Sequence, residues 1–430
     1  MVWIIIGIGL LVIALTGVPI GIGLALTGLS ILHFVAGGSE TLAITSVWNV
    51  FTDFTLSAVP LFIFMGEILL VSGVSTRIYN AVAPLFAGVP GKLLHTNIVV
   101  CTLFGAVCGA STSTAAAVGS VAYPELRRRG YDRGVVVATL AAGGTLGLLI
   151  PPSLSLLIYG ATQGVSIGRL FLAGVLPGIM LAALFMLVIL VHAILRPGIV
   201  PAGTDELPWS ARLAALLRLW PFGFLVFSVL GTMYLGLATA TEAAALGVVA
   251  SIIVGFWWGD LSVRGLLGSF LTATRVFAAI GIVMLGALVL SQSLTILGLP
   301  QQVMSGIADM GVSKYWVLLL VSIVYFILGC FFDGISLLLM TLPVVYPLMM
   351  GAGFDPVWTG VIITVLIEVG MLTPPVGMNL YVLTAITKNE VRLGEAASAS
   401  VAYWIMMLLG IVLLTLFPSI ALLLPNLMYG

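Results

Sequence analysis

The chain is written as long apolar runs separated by short polar punctuation, and apolar stretches near or above 18 residues recur from end to end. Runs of that length predict helical membrane spans rather than the short alternating segments of a barrel. Residues 1–16 and 18–36 read as two spans joined at Gly17-Val18-Pro19. A weakly polar strip with Glu40, Asn49 and Asp53 follows, then a span over 59–72. Arg77 and Lys92 flank a short amphipathic piece. Residues 93–127 are apolar but interrupted at Cys108-Gly109-Ala110-Ser111-Thr112-Ser113-Thr114. Each arm of that interruption has about 16 residues, short of the ~20 that crossing requires. A small-residue tip between two short arms predicts a re-entrant hairpin, although tight helix packing through small residues has the same composition. Residues 133–162 form a helix broken at Pro151-Pro152, and 171–195 a span ending at Arg196. The longest polar patch, 197–218, reads as a loop.

The second half repeats the first. Spans at 220–237 and 243–258 precede Arg264, Arg275 and a span to about 297. Residues 315–350 are a second pair of short arms around Phe332-Asp333-Gly334-Ile335-Ser336, and 356–387 a second helix broken at Pro374-Pro375. A last span covers 396–424. Gly130-Tyr131-Asp132, Gly147 and Pro151-Pro152 recur as Gly353-Phe354-Asp355, Gly370 and Pro374-Pro375, always 223 positions later. Tyr123-Pro124 and Tyr346-Pro347 share that offset, as do Arg169 and Arg392. Two repeats are therefore expected, 1–218 and 219–430. Arg127, Arg128, Arg129 and Arg133 put the base of the 93–127 hairpin on the cytoplasmic side, whereas the matching base at 351–356 has no Lys or Arg. The copies then face opposite ways, with the 315–350 hairpin based on the periplasmic side and both termini periplasmic. The predicted fold is an all-α polytopic membrane protein, an inverted repeat of about five spans plus one re-entrant hairpin each.

Composition agrees. Of 430 residues, 61% are hydrophobic and 7% charged, against about 25% charged in soluble domains. Zero net charge argues against a nucleic-acid partner. Cys101, Cys108 and Cys330 have neither zinc spacing nor the density of a disulfide framework. Residues 1–16 have no charged leader region or small-residue cleavage site, so a mature helix is expected there. No phosphate-binding Gly-x-x-x-x-Gly-Lys motif points to ATP, and no nucleophile–base spacing to an enzyme.

The chemistry lies in the breaks. Paired prolines remove donors and free carbonyls that lipid cannot satisfy. Such carbonyls, with hydroxyls, suit a hard cation such as sodium, and the half-helix N-termini beside them suit a carboxylate. A simple proline kink is the plainer alternative. Asp333 offers a carboxylate at a hairpin tip, either to a cation or as a cap on the arm starting at Gly334. Glu368 orients the broken segment or has a buried structural partner; Glu67 and Glu242 have no partner legible in the sequence. Arg275 is a cytoplasmic anchor or an anion contact. His33, His95 and His192 are expected at the interfaces, and Met and Trp residues in packing.

Leu372-Thr373-Pro374-Pro375-Val376-Gly377-Met378-Asn379-Leu380-Tyr381 resembles the signature of the large membrane subunit of tripartite ATP-independent periplasmic (TRAP) transporters. Leu149-Ile150-Pro151-Pro152-Ser153, the hairpin segment from Phe104 to Ser111, and Thr239-Ala240-Thr241-Glu242-Ala243-Ala244 resemble it too. The last departs from the family in having Ala240 where Pro is expected. The resemblance spans essentially the whole chain. It implies sodium-coupled uptake of an organic-acid anion by an elevator mechanism of the ion-transporter superfamily. It also implies a small four-helix membrane subunit, a periplasmic solute-binding protein and a place in the bacterial inner membrane. By the same resemblance, one sodium site uses Cys108, Ala110, Gly147, Ile150 and Pro152, and another Asp333, Gly334, Thr373, Val376 and Gly377. Two or more sodium ions are expected. Cys108 and Ala110 stand where the family usually has serines. Symmetry puts the substrate between the tips, near Ser111, Thr112, Ser336 and Asn379. The alternative is a self-contained ion-coupled carrier of the dicarboxylate or citrate type.

Overall fold

The computed structural model describes residues 2–201, 208–299, 301–302, 305–306, 313–388 and 390–429. The first half contains α1 (Val2–Thr16), α2 (Ile20–Phe34), α3 (Glu40–Phe51), α4 (Ala58–Val71), α5 (Val74–Val82), α6 (Leu93–Cys108), α7 (Ser111–Arg128), α8 (Arg133–Thr145), α9 (Leu154–Gln163) and α10 (Ile167–Leu195). Next come α11 (Trp209–Leu217), α12 (Trp220–Val226, continued through a π turn to Tyr234), α13 (Ala240–Trp257) and α14 (Val263–Ile296). The second hairpin and broken helix are α15 (Lys314–Gly329), α16 (Gly334–Gly351), α17 (Pro356–Leu372) and α18 (Met378–Ile386), followed by α19 (Leu393–Leu416) and α20 (Ser419–Tyr429). Among the described residues there is no strand, and six helices are each long and apolar enough to cross a bilayer. The pair α11–α12, bent by 43°, makes a seventh if counted as one span. The protein is an all-α polytopic membrane protein. The other expected spans are the helices of 15 residues at the N-terminus and the two broken helices.

The repeated Gly-aromatic-Asp marks the same turn twice. Gly130 and Gly353 adopt positive φ (86° and 81°), which ends the preceding hairpin arm. Two residues on, Asp132 accepts from the Val135 amide at 2.9 Å and starts α8. Asp355 accepts from the Val357 and Trp358 amides at 2.8 and 2.9 Å and starts α17. The starts of α7 and α16, and of α8 and α17, keep the 223-residue offset.

The first halves of the two broken helices are the centre of the molecule. Every residue of α17 from Val357 to Leu372 is buried, as a helix apolar on all sides requires. α8 is nearly as enclosed. Around them pack the hairpin arms α6–α7 and α15–α16, with α18 against α7 and α8, and α10, α19 and α20 along one flank. On the other side α14 packs on α2 and α4. α2 and α14 touch backbone to backbone at Gly21, Gly28 and Gly286, the small-residue contact that lets helices associate without a hydrophobic driving force.

Four sequence expectations are corrected. The polar strip from Glu40 is a helix, α3. The patch at 197–218 is not all loop, because α11 lies within it; its residues 202–207 fall outside the described residues. The last span ends at Leu416, and α20 begins after Pro418. Arg264 and Arg275 do not precede the span to about 297 but lie within it, since α14 runs unbroken for 34 residues and Arg275 is about 18 Å along it. His95 is enclosed by protein, its Nε2 2.8 Å from the Pro90 carbonyl, which does not bear on its expected depth at an interface.

Candidate transport site

Each hairpin crosses its broken helix at a pair of glycines. A Cβ on Gly105 would lie 2.6 Å from the Gly147 Cα, and one on Gly370 2.5 Å from the Gly329 Cα. Only glycine on both sides lets the main chains approach this closely, and that brings each tip to its break.

At the first tip only Gly109 and Ala110 leave the helices, so the interruption is shorter than the seven residues read from sequence. Gly109, at φ 67°, accepts a 3.1 Å bond from the Leu154 amide, across the proline pair. A Cβ on Gly109 would be 3.0 Å from the Pro152 carbonyl oxygen, and one on Gly147 would be 3.1 Å from that of Ala110. Gly109 therefore lies against Pro152, and Gly147 against Ala110, while the Cys108 carbonyl faces Gly66 of α4. The Ala110 carbonyl already accepts from Thr114, from its amide at 3.1 Å and its hydroxyl at 2.7 Å. Ile150 turns its side chain away, against Gly178 of α10.

At the second tip Asp333 caps α16, accepting from the Ser336 amide at 3.1 Å, so the capping role is real. Gly334 sits against Leu148, Ile367 and Met371. At the second break Thr373 donates its hydroxyl to the Val369 carbonyl at 2.6 Å. A Cβ on Gly377 would lie 3.2 and 3.3 Å from the carbonyl oxygens of Thr373 and Met371, which converge there. Val376 is half-buried beside them. Both proline pairs are joined by cis peptide bonds.

Between the tips lies a cavity of about 330 Å³. Cys108, Ala110, Thr112 and Ser113 line it from the first hairpin, Asp333, Ile335 and Ser336 from the second. α4 adds Ile63, Gly66 and Glu67, and α14 adds Val276 to Val283. Thr112 and Ser336, two of the expected substrate contacts, thus share one chamber. The other two, Ser111 and Asn379, are buried behind its wall: the Asn379 amide donates to the Ser111 hydroxyl at 2.7 Å and to the Ala141 carbonyl at 3.1 Å. That pair ties the second broken helix to the first hairpin and to α8. Gly147, Ile150, Pro152, Gly334, Thr373, Val376 and Gly377 are likewise not on the cavity wall.

Glu67 and Asp333 are the ionisable carboxylates of that wall, and it contains no Lys, Arg or His. Glu67 is the residue that sequence reasoning undervalued; its signal was a lone acid inside an apolar run. Gly66 beside it faces Cys108, a Cβ there lying 3.1 Å from the Cys108 carbonyl oxygen. Glu242, by contrast, is exposed and forms a capping box with Thr239. Glu368 is fully buried, and neither carboxyl oxygen has a hydrogen-bond partner among the described residues. No partner of Arg275 is found among the described residues, and it lies outside the wall.

Paired hairpins, paired broken helices and a cavity at their junction define a class: polytopic helical proteins with the architecture of secondary transporters. The fold is shared with a solved structure, the Alcanivorax borkumensis YdaH transporter, at TM-score 0.65 and 15% identity over 90% of each chain. The family described as "Tripartite ATP-independent periplasmic transporter, DctM component" matches residues 8–420, and the chain belongs to it. It is 33% identical over 407 residues to the C4-dicarboxylate TRAP transporter large permease protein DctM of Pseudomonas aeruginosa, covering 94% of this chain and 93% of that one. It is 31% identical over 427 residues to the ectoine TRAP transporter large permease protein TeaC of Halomonas elongata, covering 98% of both.

Proposed function

We propose that the protein takes up an organic-acid anion, a C4-dicarboxylate, sialic acid or similar carboxylate, across the bacterial inner membrane, coupled to two or more sodium ions. The substrate is delivered by a periplasmic solute-binding protein, and a small four-helix membrane subunit completes the complex. The two repeats are inverted across the bilayer, with both termini periplasmic. The hairpins and broken helices move together as an elevator against the remaining helices.

The observation that carries this reading is the charge of the chamber. A wall whose ionisable groups are Glu67 and Asp333 repels an anion unless cations enter with it. Sodium held by the tip and break carbonyls supplies the missing positive charge, so ion and substrate binding favour each other. Each net charge moved inward through the membrane potential adds about 2.3 kcal/mol per 100 mV. The test is uptake into proteoliposomes containing both membrane subunits, under an imposed sodium gradient, with and without the cognate binding protein. Uptake is expected only with both the gradient and the binding protein. Full uptake of free substrate without that protein would instead establish the self-contained dicarboxylate or citrate-type carrier.

The same wall favours one other reading. A zwitterion presents its own positive group to Glu67 or Asp333, and ectoine, named for the Halomonas elongata relative, is of that kind. Competition of dicarboxylates against zwitterions for the binding protein separates the two.

A further inference from the structure

A second crevice, of about 540 Å³, opens far from the chamber, where the start of α8 meets the end of α10 and the start of α19. Its polar lining contains the acids Asp132 and Glu395 and the base Arg196, with His192 and Ser398. Arg196 and Glu395 are both exposed and neither has an ion-pair partner among the described residues. Two opposite charges facing one cleft, unpaired among the described residues, suit a ligand that carries both signs.

The cleft is also placed at a boundary between water and lipid. It is walled by Asp132 and Gly134, next to the arginine-rich turn Arg127, Arg128, Arg129 and Arg133. From it the α10–α19 seam runs toward mid-membrane, marked by the edge-to-face contact of Phe185 and Tyr403 at 5.7 Å and by Leu181 against Gly410. Exposed apolar side chains border that seam, Leu187, Val191 and Ile194 on α10 and Val401, Ile405 and Val412 on α19. Val401, Ala402 and Ile405 belong to the crevice wall itself, so the polar cleft and the apolar track are continuous. A polar pocket opening into a greasy groove matches a headgroup joined to an acyl chain.

We propose that this crevice binds a phospholipid whose headgroup joins a phosphate to a primary ammonium, of the phosphatidylethanolamine type. Arg196 presents its forked guanidinium to the phosphate with His192 beside it, Glu395 and Asp132 take the ammonium, and one acyl chain lies along the α10–α19 groove. A headgroup bearing only negative charge leaves the two carboxylates unpaired and repelled. A quaternary ammonium cannot donate hydrogen bonds to them.

Native mass spectrometry of the full-length protein, delipidated and incubated with phosphatidylethanolamine, phosphatidylglycerol or phosphatidylcholine of identical acyl chains, tests this directly. The primary-ammonium lipid is expected to be retained at least about tenfold more than either other lipid. Arg196→Ala and Glu395→Gln are each expected to remove that preference, with thermal unfolding in detergent checking that the variants fold. Equal retention of all three lipids overturns the proposal. Retention of phosphatidylglycerol as strongly as phosphatidylethanolamine overturns it too, by showing a phosphate contact alone. If either variant fails to fold, the three-lipid comparison on the unaltered protein still decides.

Discussion

The two proline breaks come from one motif and end in different states. In the first, Pro151 and Pro152 are buried, and the gap is stitched from three directions. Ser153 accepts from the Leu156 amide and donates to the Leu148 carbonyl, while the hairpin tip accepts from Leu154 through Gly109. In the second, Pro374 and Pro375 are exposed, and α18 starts at Gly377 with φ 56° and no side-chain cap. Its hairpin tip is capped by its own Asp333 and leans on Leu148, just before the first break. A proline pair therefore fixes where a helix breaks, while the neighbours decide how far the break is closed. The first hairpin is fastened to its break; the second is the freer of the two, and it carries the charge.

That contrast can be tested in order of expected effect. Asp333→Asn keeps an N-cap but removes the charge, and sodium-driven uptake in proteoliposomes should fall at least about 100-fold, about 2.7 kcal/mol, with the complex still assembled. Wild-type uptake would remove Asp333 from the ion path. Gly105→Ala and Gly370→Ala each force a methyl into a backbone contact and should lower stability by about 1–3 kcal/mol, measured by thermal unfolding in detergent. Asn379→Ala loses both of its bonds, to Ser111 and to Ala141, and should cost about 1–3 kcal/mol, more than Ser111→Ala, which leaves the bond to Ala141. Ser153→Ala should cost about 1 kcal/mol, a cap the second break lacks. Smallest to detect but most specific, backbone amides of residues 373–378 should exchange hydrogen faster than those of 149–156.

Much of this was legible in the sequence because the signals are local. The 223-residue offset, the proline pairs and the Gly-x-Asp starts were enough to place both hairpins and both broken helices. The partition of the site was not, because it depends on contacts hundreds of positions apart. Nothing local distinguishes Asn379, turned back onto Ser111, from Thr112, which faces the chamber. Glu67 gained its position only when α4 packed beside the first tip, and the buried Pro151-Pro152 differs from the open Pro374-Pro375 only in what covers it. α11 and α3 were missed because their polar residues conceal helices that lie outside the apolar pattern. α19 and α20 merged because Pro418 interrupts an apolar run without interrupting its composition.

The most direct test is the sodium dependence of initial uptake, with both membrane subunits in proteoliposomes and the cognate binding protein saturated with substrate. Cooperative dependence on sodium, abolished in Asp333→Asn, is the predicted result. Equal rates with choline replacing sodium on both sides would contradict the account.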